Sequence, residues 1–315
     1  MLSFSAFAVL FLSNWPSLHG FQPQLSLPRY RLSRDASVRG DAVFSMAPNN
    51  ILESKKDAGI TGVTDSDEDK RPHLVFPGGG IFFYWVAGVV TYLREQGYDI
   101  SPSAVTSTGA SAGALIATLT ATGVDFYKAT DLALKMSADA GVWDRKEGLQ
   151  GIWGPIIYNW LDELLPEDAV EIVHGGPTSS ERRSLSILVT PLPNIFGPKD
   201  SISTFFSRQD LIECNMASAH LPWFLDGKLT SKFRGKPHID GSFFASVEDF
   251  LIGPHYEDLT IHFDYTRDPL YKNKNWGDIG KALSADGIWN MLEDGKRYAK
   301  VMEERGEFSL LTKRN

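Results

Sequence analysis

The chain has 315 residues, a formal net charge of −8 and a pI near 5.4. So acidic a balance argues against a nucleic-acid partner, because phosphate binding needs a basic face. Its one cysteine, Cys214, excludes an intramolecular disulfide, and with it zinc-finger, iron–sulfur and thioredoxin-type readings.

The first twenty residues stand apart. Leu2–Leu12 is apolar except for Ser3 and Ser5 and carries no charge. It is too short to span a bilayer, which takes about 20 apolar residues, and it fits the hydrophobic stretch of a signal peptide over residues 1–20. Residues 21–47 then hold Arg29, Arg31, Arg34 and Arg39 among serines, against Asp35 and Asp41 alone. This is the composition of a transit peptide. A signal peptide followed by a transit peptide beginning at Phe21 resembles the two-part plastid presequence of algae with secondary plastids. The expected location is therefore the plastid, peripheral to a membrane, with a secreted or endomembrane protein as the alternative. Residues 48–73 read as a linker. Within it, Asp65-Ser66-Asp67-Glu68-Asp69-Lys70 begins like a calcium loop. However, Lys70 stands where the turn needs glycine and Phe76 where a bidentate glutamate is needed, so no metal is expected.

The folded domain should begin at Leu74-Val75-Phe76, a strand stopped by Pro77. After Gly78-Gly79-Gly80, Ile81–Val90 is apolar on every side, which predicts a buried helix closed near Gly97. Ala104–Thr108 reads as a second strand and Ala112–Thr122 as a helix of small residues. Residues 125–175 look helical, and Leu185–Thr190 reads as a strand. Gln209–Ala219 reads as a helix and Leu259–Tyr265 as a late strand. Residues 286–305 show helical spacing of Ile288, Met291, Leu292, Tyr298, Val301 and Met302. Strands alternating with helices predict an α/β layered domain with a largely parallel sheet. The expected core domain is 74–253, with the strand and amphipathic helix of 254–315 completing or flanking it.

Gly109-Ala110-Ser111-Ala112-Gly113 lies between a predicted strand and a predicted helix, the setting in which Gly-x-Ser-x-Gly holds a nucleophile on a tight turn. Glycines at both ends let strand and helix approach closely, and the helix N-terminus favours developing negative charge. Ser111 is the candidate nucleophile. Gly78, Gly79 and Gly80 can offer unobstructed backbone N–H groups to an oxyanion. The rival reading of this loop is a dinucleotide fingerprint with Asp99 as the ribose acid. It fails at Phe83, where the third glycine belongs, and no Gly-Lys-Ser/Thr follows to make a P-loop. No nucleotide is expected. A serine hydroxyl needs a base. Pro237-His238-Ile239-Asp240-Gly241-Ser242 offers both His238 and Asp240, and the residues alone do not choose between them.

Together these pieces resemble the patatin-like phospholipases. The resemblance rests on Pro77-Gly78-Gly79-Gly80, Thr108-Gly109-Ala110-Ser111-Ala112-Gly113, Ala217-Ser218-Ala219-His220-Leu221-Pro222 and Asp240-Gly241, in that order, over roughly residues 74–250. It implies a three-layer α/β/α sandwich and a Ser–Asp dyad without histidine. By that resemblance Ser111 is the nucleophile, Asp240 the general base, and Gly78, Gly79 and Gly80 the oxyanion hole. The implied activity is lipid acyl hydrolysis of glycerolipid carboxylic esters at a membrane or lipid-droplet surface, with no cofactor. The chain departs from the family at Phe82 and Phe83, where a basic residue or a further glycine is common, and at Ser242, where glycine or alanine is common. The competing readings are a Ser–His–Asp esterase of the α/β-hydrolase type, using His238 or His262, and a catalytically inactive lipid-binding protein of the same fold.

Overall fold

The computed structural model describes residues 69–175, 183–251, 257–273 and 282–314. The presequence segments 1–20 and 21–47, most of the 48–73 linker, and the acidic run up to Glu68 lie outside the described residues.

Seven strands form one mixed, mostly parallel sheet with helices on both faces, the three-layer α/β/α arrangement expected. Strand β1 (His73–Phe76) is buried along its whole length and ends at Pro77. Strand β2 (Thr106–Ala110) lies beside it in parallel, with Phe76 opposite Gly109. Strand β3 (Leu185–Pro191) is parallel to β2, with Leu188 opposite Ala110. Because these three run the same way, their C-terminal ends share one edge of the sheet, where ligands of open α/β sheets bind. The glycine loop leaves β1 there and Ser111 leaves β2 there.

Beyond β3 the sheet turns antiparallel. Strands β4 (Asp200–Ile202), β5 (Ser231–Phe233) and β6 (Lys236–Ile239) are short pieces absent from the sequence-based expectation. Strand β6 runs back along β3, with His238 opposite Pro191 and Ile239 opposite Thr190. His238 therefore sits in a strand, and Asp240 is the first residue past its end.

Helix α1 (Phe83–Glu95) is entered through a 3-10 turn, Gly80–Phe82, and is buried on nearly every side. Gly97 follows it in the left-handed region at φ 77°, which suits a residue without Cβ beyond a helix end. Helix α2 (Ala112–Ala121) is wholly buried and starts at the elbow. The 125–175 region, expected to be helical, holds three helices: α3 (Phe126–Asp139), α4 (Trp153–Leu164) and α5 (Ala169–Val173). Between α3 and α4, Gly141, Gly148 and Gly151 take positive φ, which breaks the helical path. Helix α6 (Arg208–Ser218) follows, capped by the Ser207 side chain on the amide of Asp210.

The late strand β7 (Thr260–His262) is shorter than expected and pairs in parallel with the outer side of β1. Asp264 ends it by accepting from the amide of Thr266, which turns the chain into a 3-10 segment, Tyr265–Arg267. The last helix, α7 (Ala285–Glu304), packs on α1 at backbone distance. A Cβ built at Gly88 would lie 1.9 Å from the Leu292 carbonyl oxygen, and one at Gly295 1.9 Å from that of Trp85. The crossing is tied by Trp85, whose indole donates to Asp268 at 3.0 Å while Arg297 pairs with the same carboxylate at 3.2 Å.

Candidate active site

Ser111 stands between the last residue of β2 and the first of α2, at φ 56° and ψ −131°. Holding a residue with a Cβ there costs on the order of 1–3 kcal/mol, a strain that surrounding structure must enforce. Two missing side chains make the turn possible. A Cβ at Gly109 would lie 2.3 Å from the Gly113 carbonyl, and one at Gly113 1.9 Å from that of Phe76. Ser218 locks the turn from the far side: its hydroxyl accepts from the Ser111 amide at 3.0 Å and donates to the Leu188 carbonyl at 2.7 Å.

The Ser111 hydroxyl donates to Asp240 Oδ2 at 2.6 Å. The sheet carries Asp240 to this position. Its amide donates to the His220 carbonyl at 2.9 Å, and its own carbonyl accepts from Thr190 Oγ1 at 2.9 Å. Next to it, the Gly241 amide donates to Ser218 at 2.8 Å, and a Cβ at Gly241 would strike the Leu188 carbonyl at 1.9 Å. The Ala217–Pro222 segment thus clamps the elbow and the aspartate together.

Asp240 is fully buried, and burial lifts its pKa from 3.8 to about 6; hydrogen bonds from Ser111 and Ser242 oppose that rise. Ser242 donates twice to Oδ1, from its hydroxyl at 2.6 Å and its amide at 2.9 Å. One of the chain's departures from the family pattern is therefore an extra donor on the carboxylate. Ser242→Ala removes a bond that favours the ionised form. It is expected to move the acid limb of the pH–activity profile up by about one pH unit, the worth of one charge-assisted hydrogen bond. A pH profile of kcat/KM checks this, and an unmoved limb overturns it.

Gly78 lies against both serines: a Cβ there would be 3.1 Å from Ser111 Cβ and 2.8 Å from Ser242 Cβ. Gly79 rests on the Tyr265 ring, and Gly80 turns the chain at φ 53°. None of the three N–H groups hydrogen-bonds to a described residue. The other departures, Phe82 and Phe83, fill space. Phe82 stacks on Tyr265 with centroids 3.9 Å apart, and Phe83 meets Trp160 edge-on at 5.6 Å.

The histidines make their contacts elsewhere. His238 donates from Nδ1 to the Lys236 carbonyl at 3.1 Å, and His220 from Nε2 to that of Lys228 at 3.2 Å. Burial lowers the pKa of His262, and neither His238 nor His262 hydrogen-bonds to Ser111 or Asp240. Cys214 is buried, which pushes its thiol up and away from thiolate chemistry. Among the described residues no group of three His, Cys, Asp or Glu is arranged to hold a metal ion. Nor is any described helix long and apolar enough to cross a membrane.

Ser111 opens onto a narrow apolar cleft of about 80 Å³. Gly80, Leu115, Ile157, Trp160 and Phe224 are among its walls. Phe224 lines this cleft, whereas Phe244 packs against the exposed Phe196 with ring centroids 4.6 Å apart.

Over 187 residues the chain is 28% identical to the human omega-hydroxyceramide transacylase, covering 58% of this chain and 32% of that one. Over 182 residues it is 30% identical to human patatin-like phospholipase domain-containing protein 2, covering 55% and 32%. The chain thus spans about a third of the length of these relatives. The solved structure of VipD from Legionella pneumophila superposes only loosely, with a TM-score of 0.42 and 12% identity over 75% of this chain and 67% of that one. The family description "Patatin-like phospholipase" matches residues 74–249, more than half of the chain and every element of the site, and the chain belongs to that family.

Proposed function

We propose that this protein is a lipid acyl hydrolase that cleaves carboxylic esters of glycerolipids at a membrane or lipid-droplet surface. The observation that carries the reading is the 2.6 Å hydrogen bond from a strained elbow serine to a fully buried aspartate, at the wall of an apolar cleft. In this reading Ser111 Oγ attacks the ester carbonyl carbon as its proton passes to Asp240 Oδ2. The N–H groups of Gly78, Gly79 and Gly80 receive the oxyanion. Collapse breaks the carbonyl–alkoxy bond, and the leaving alcohol takes the proton from Asp240. Water then attacks the acyl-Ser111 ester, giving its proton to Asp240. Breakdown frees the fatty acid and returns the proton to Ser111. No step calls for a metal or an organic cofactor.

One human relative is named a transacylase, so the acceptor for the acyl group, water or another alcohol, is the finer point to test. The full chain and its Ser111→Ala variant are incubated with mixed glycerolipids and the products analysed by mass spectrometry. Free fatty acid, released by the wild type alone, is the expected result. Acylated alcohol in its place assigns a transferase. No product, together with no labelling by a fluorophosphonate probe, leaves an inactive lipid-binding protein.

A further inference from the structure

Tyr84 lies in the first turn of α1 and lines the same cleft as Ser111. Its side chain is only 6% exposed, yet its hydroxyl hydrogen-bonds to no described residue. Buried tyrosine hydroxyls ordinarily find a partner. The fully enclosed side-chain hydroxyls without one are those of Thr108 and Thr120, and Tyr84 is not among them. Its oxygen therefore borders space that a small atom can enter, and Tyr84 is one of the residues lining the cleft. Burial raises the phenol pKa, so the group stays protonated and is a donor at any physiological pH.

No described residue accepts that proton. Phe83 meets the Tyr84 ring edge-on at 5.2 Å, and apart from Ser111 the cleft lining is almost wholly aliphatic or aromatic, with Ile81, Leu115, Ile156 and Leu221 among it. Sites of this kind use a few placed polar groups in an apolar lining to set which ligand fits and how. An unsubstituted hydrocarbon chain would cover the hydroxyl without satisfying it, whereas a chain carrying an oxygen would pair with it.

We propose that Tyr84 is a specificity-determining residue and that the cleft selects acyl chains bearing an oxygen function, such as a hydroxyl, keto or epoxide group, over plain hydrocarbon chains. This rests on the reading of the cleft as an acyl site, and it concerns binding, so it can be tested apart from turnover. The full-length protein is titrated with stearate and with a series of monohydroxystearates whose hydroxyl is walked along the chain, in competition with a fluorescent fatty-acid probe. At least one isomer is expected to bind roughly three- to tenfold more tightly than stearate, the worth of one hydrogen bond. Tyr84→Phe is expected to erase that gain, bringing stearate and every hydroxystearate isomer to similar affinity, because the plain chain no longer covers an unpaired hydroxyl. If no isomer outcompetes stearate in the wild type, the hydroxyl serves a bound water only and the proposal falls. It falls equally if Tyr84→Phe weakens all chains alike, which marks a packing role, or if the preference survives in the variant. Failure of the hydrolase reading shows separately, as a wild type that binds chains and forms no product.

Discussion

Asp240→Asn is expected to leave a folded protein whose kcat for ester cleavage is lower by about 10²–10⁴, the usual worth of a positioned general base. Asparagine keeps the shape of the side chain and can still meet the hydroxyls of Ser111 and Ser242, but it cannot take a proton. In the wild type the base must be ionised, so kcat/KM should fall as the pH drops through about 6, the value to which burial brings Asp240. Steady-state kinetics of Asp240→Asn, His238→Ala and His262→Ala decide between dyad and triad. Full activity in the Asp240 variant, or a collapse in a folded histidine variant, sinks the dyad.

The same burial has a cost in stability. Asp240 holds its proton up to about pH 6 in the folded chain, whereas the unfolded chain releases it near 3.8. Stability from this group therefore declines as pH rises from about 4 to about 6, and above that window the cost stands at roughly 3 kcal/mol. Asp240→Asn escapes it, so the inactive variant should melt several degrees above the wild type at neutral pH. The difference should shrink several-fold by about pH 4, where the folded carboxyl is protonated, and vanish below the unfolded value of 3.8. Thermal denaturation at the two pH values measures this, and equal melting temperatures at neutral pH would contradict it.

Gly295→Ala is expected to be among the most damaging single-methyl additions in the chain. The new Cβ would meet the Trp85 carbonyl at 1.9 Å, and a backbone atom in a buried helix cannot swing aside as a side chain can. Separating α1 from α7 would disturb Trp85 and its bond to Asp268. The expected loss is at or above the upper end of the 1–3 kcal/mol typical of overpacking, or a drop in Tm of about 6–12 °C for a domain of this size. Gly306→Ala is the control: it sits at positive φ with nothing within 4 Å of its Cβ, so it adds backbone strain without collision. Equal losses in the two variants would mean that close helix contact is not what Gly295 provides.

The features legible in the sequence are those that depend on local pattern. The wholly buried strand β1 announced itself as an apolar run stopped by proline, and the elbow as glycines flanking a serine between strand and helix. The short strands β4, β5 and β6 could not be read. Lys236-Pro237-His238-Ile239 has neither the alternation nor the length of a strand, and its pairing is imposed by β3 across a separation of some fifty residues. For the same reason the choice between His238 and Asp240 was closed to the residues alone. In a strand that runs back along β3, the question of which side chain meets Ser111 is one of register. Ser218 was visible only as part of a family pattern; its grip on the Ser111 amide depends on α6 ending beside Leu188. Ser242 looked like a departure because a neighbour's hydroxyl becomes a donor only once the turn after Asp240 is formed.

The rims of the sheet deserve a last consideration, because this protein keeps an apolar cleft open to its surroundings. Its buried strands β1, β2 and β3 all lie inside the sheet, while each outermost strand, β5 or β7, has three residues. Strand β5 also carries Lys232, and the chain beyond β7 turns away at Asp264. Brief, charge-flanked rims offer a poor template for another chain to add a strand. Self-association by strand addition is thereby discouraged at both borders, which leaves the sheet closed to a second copy while the cleft beside it stays open.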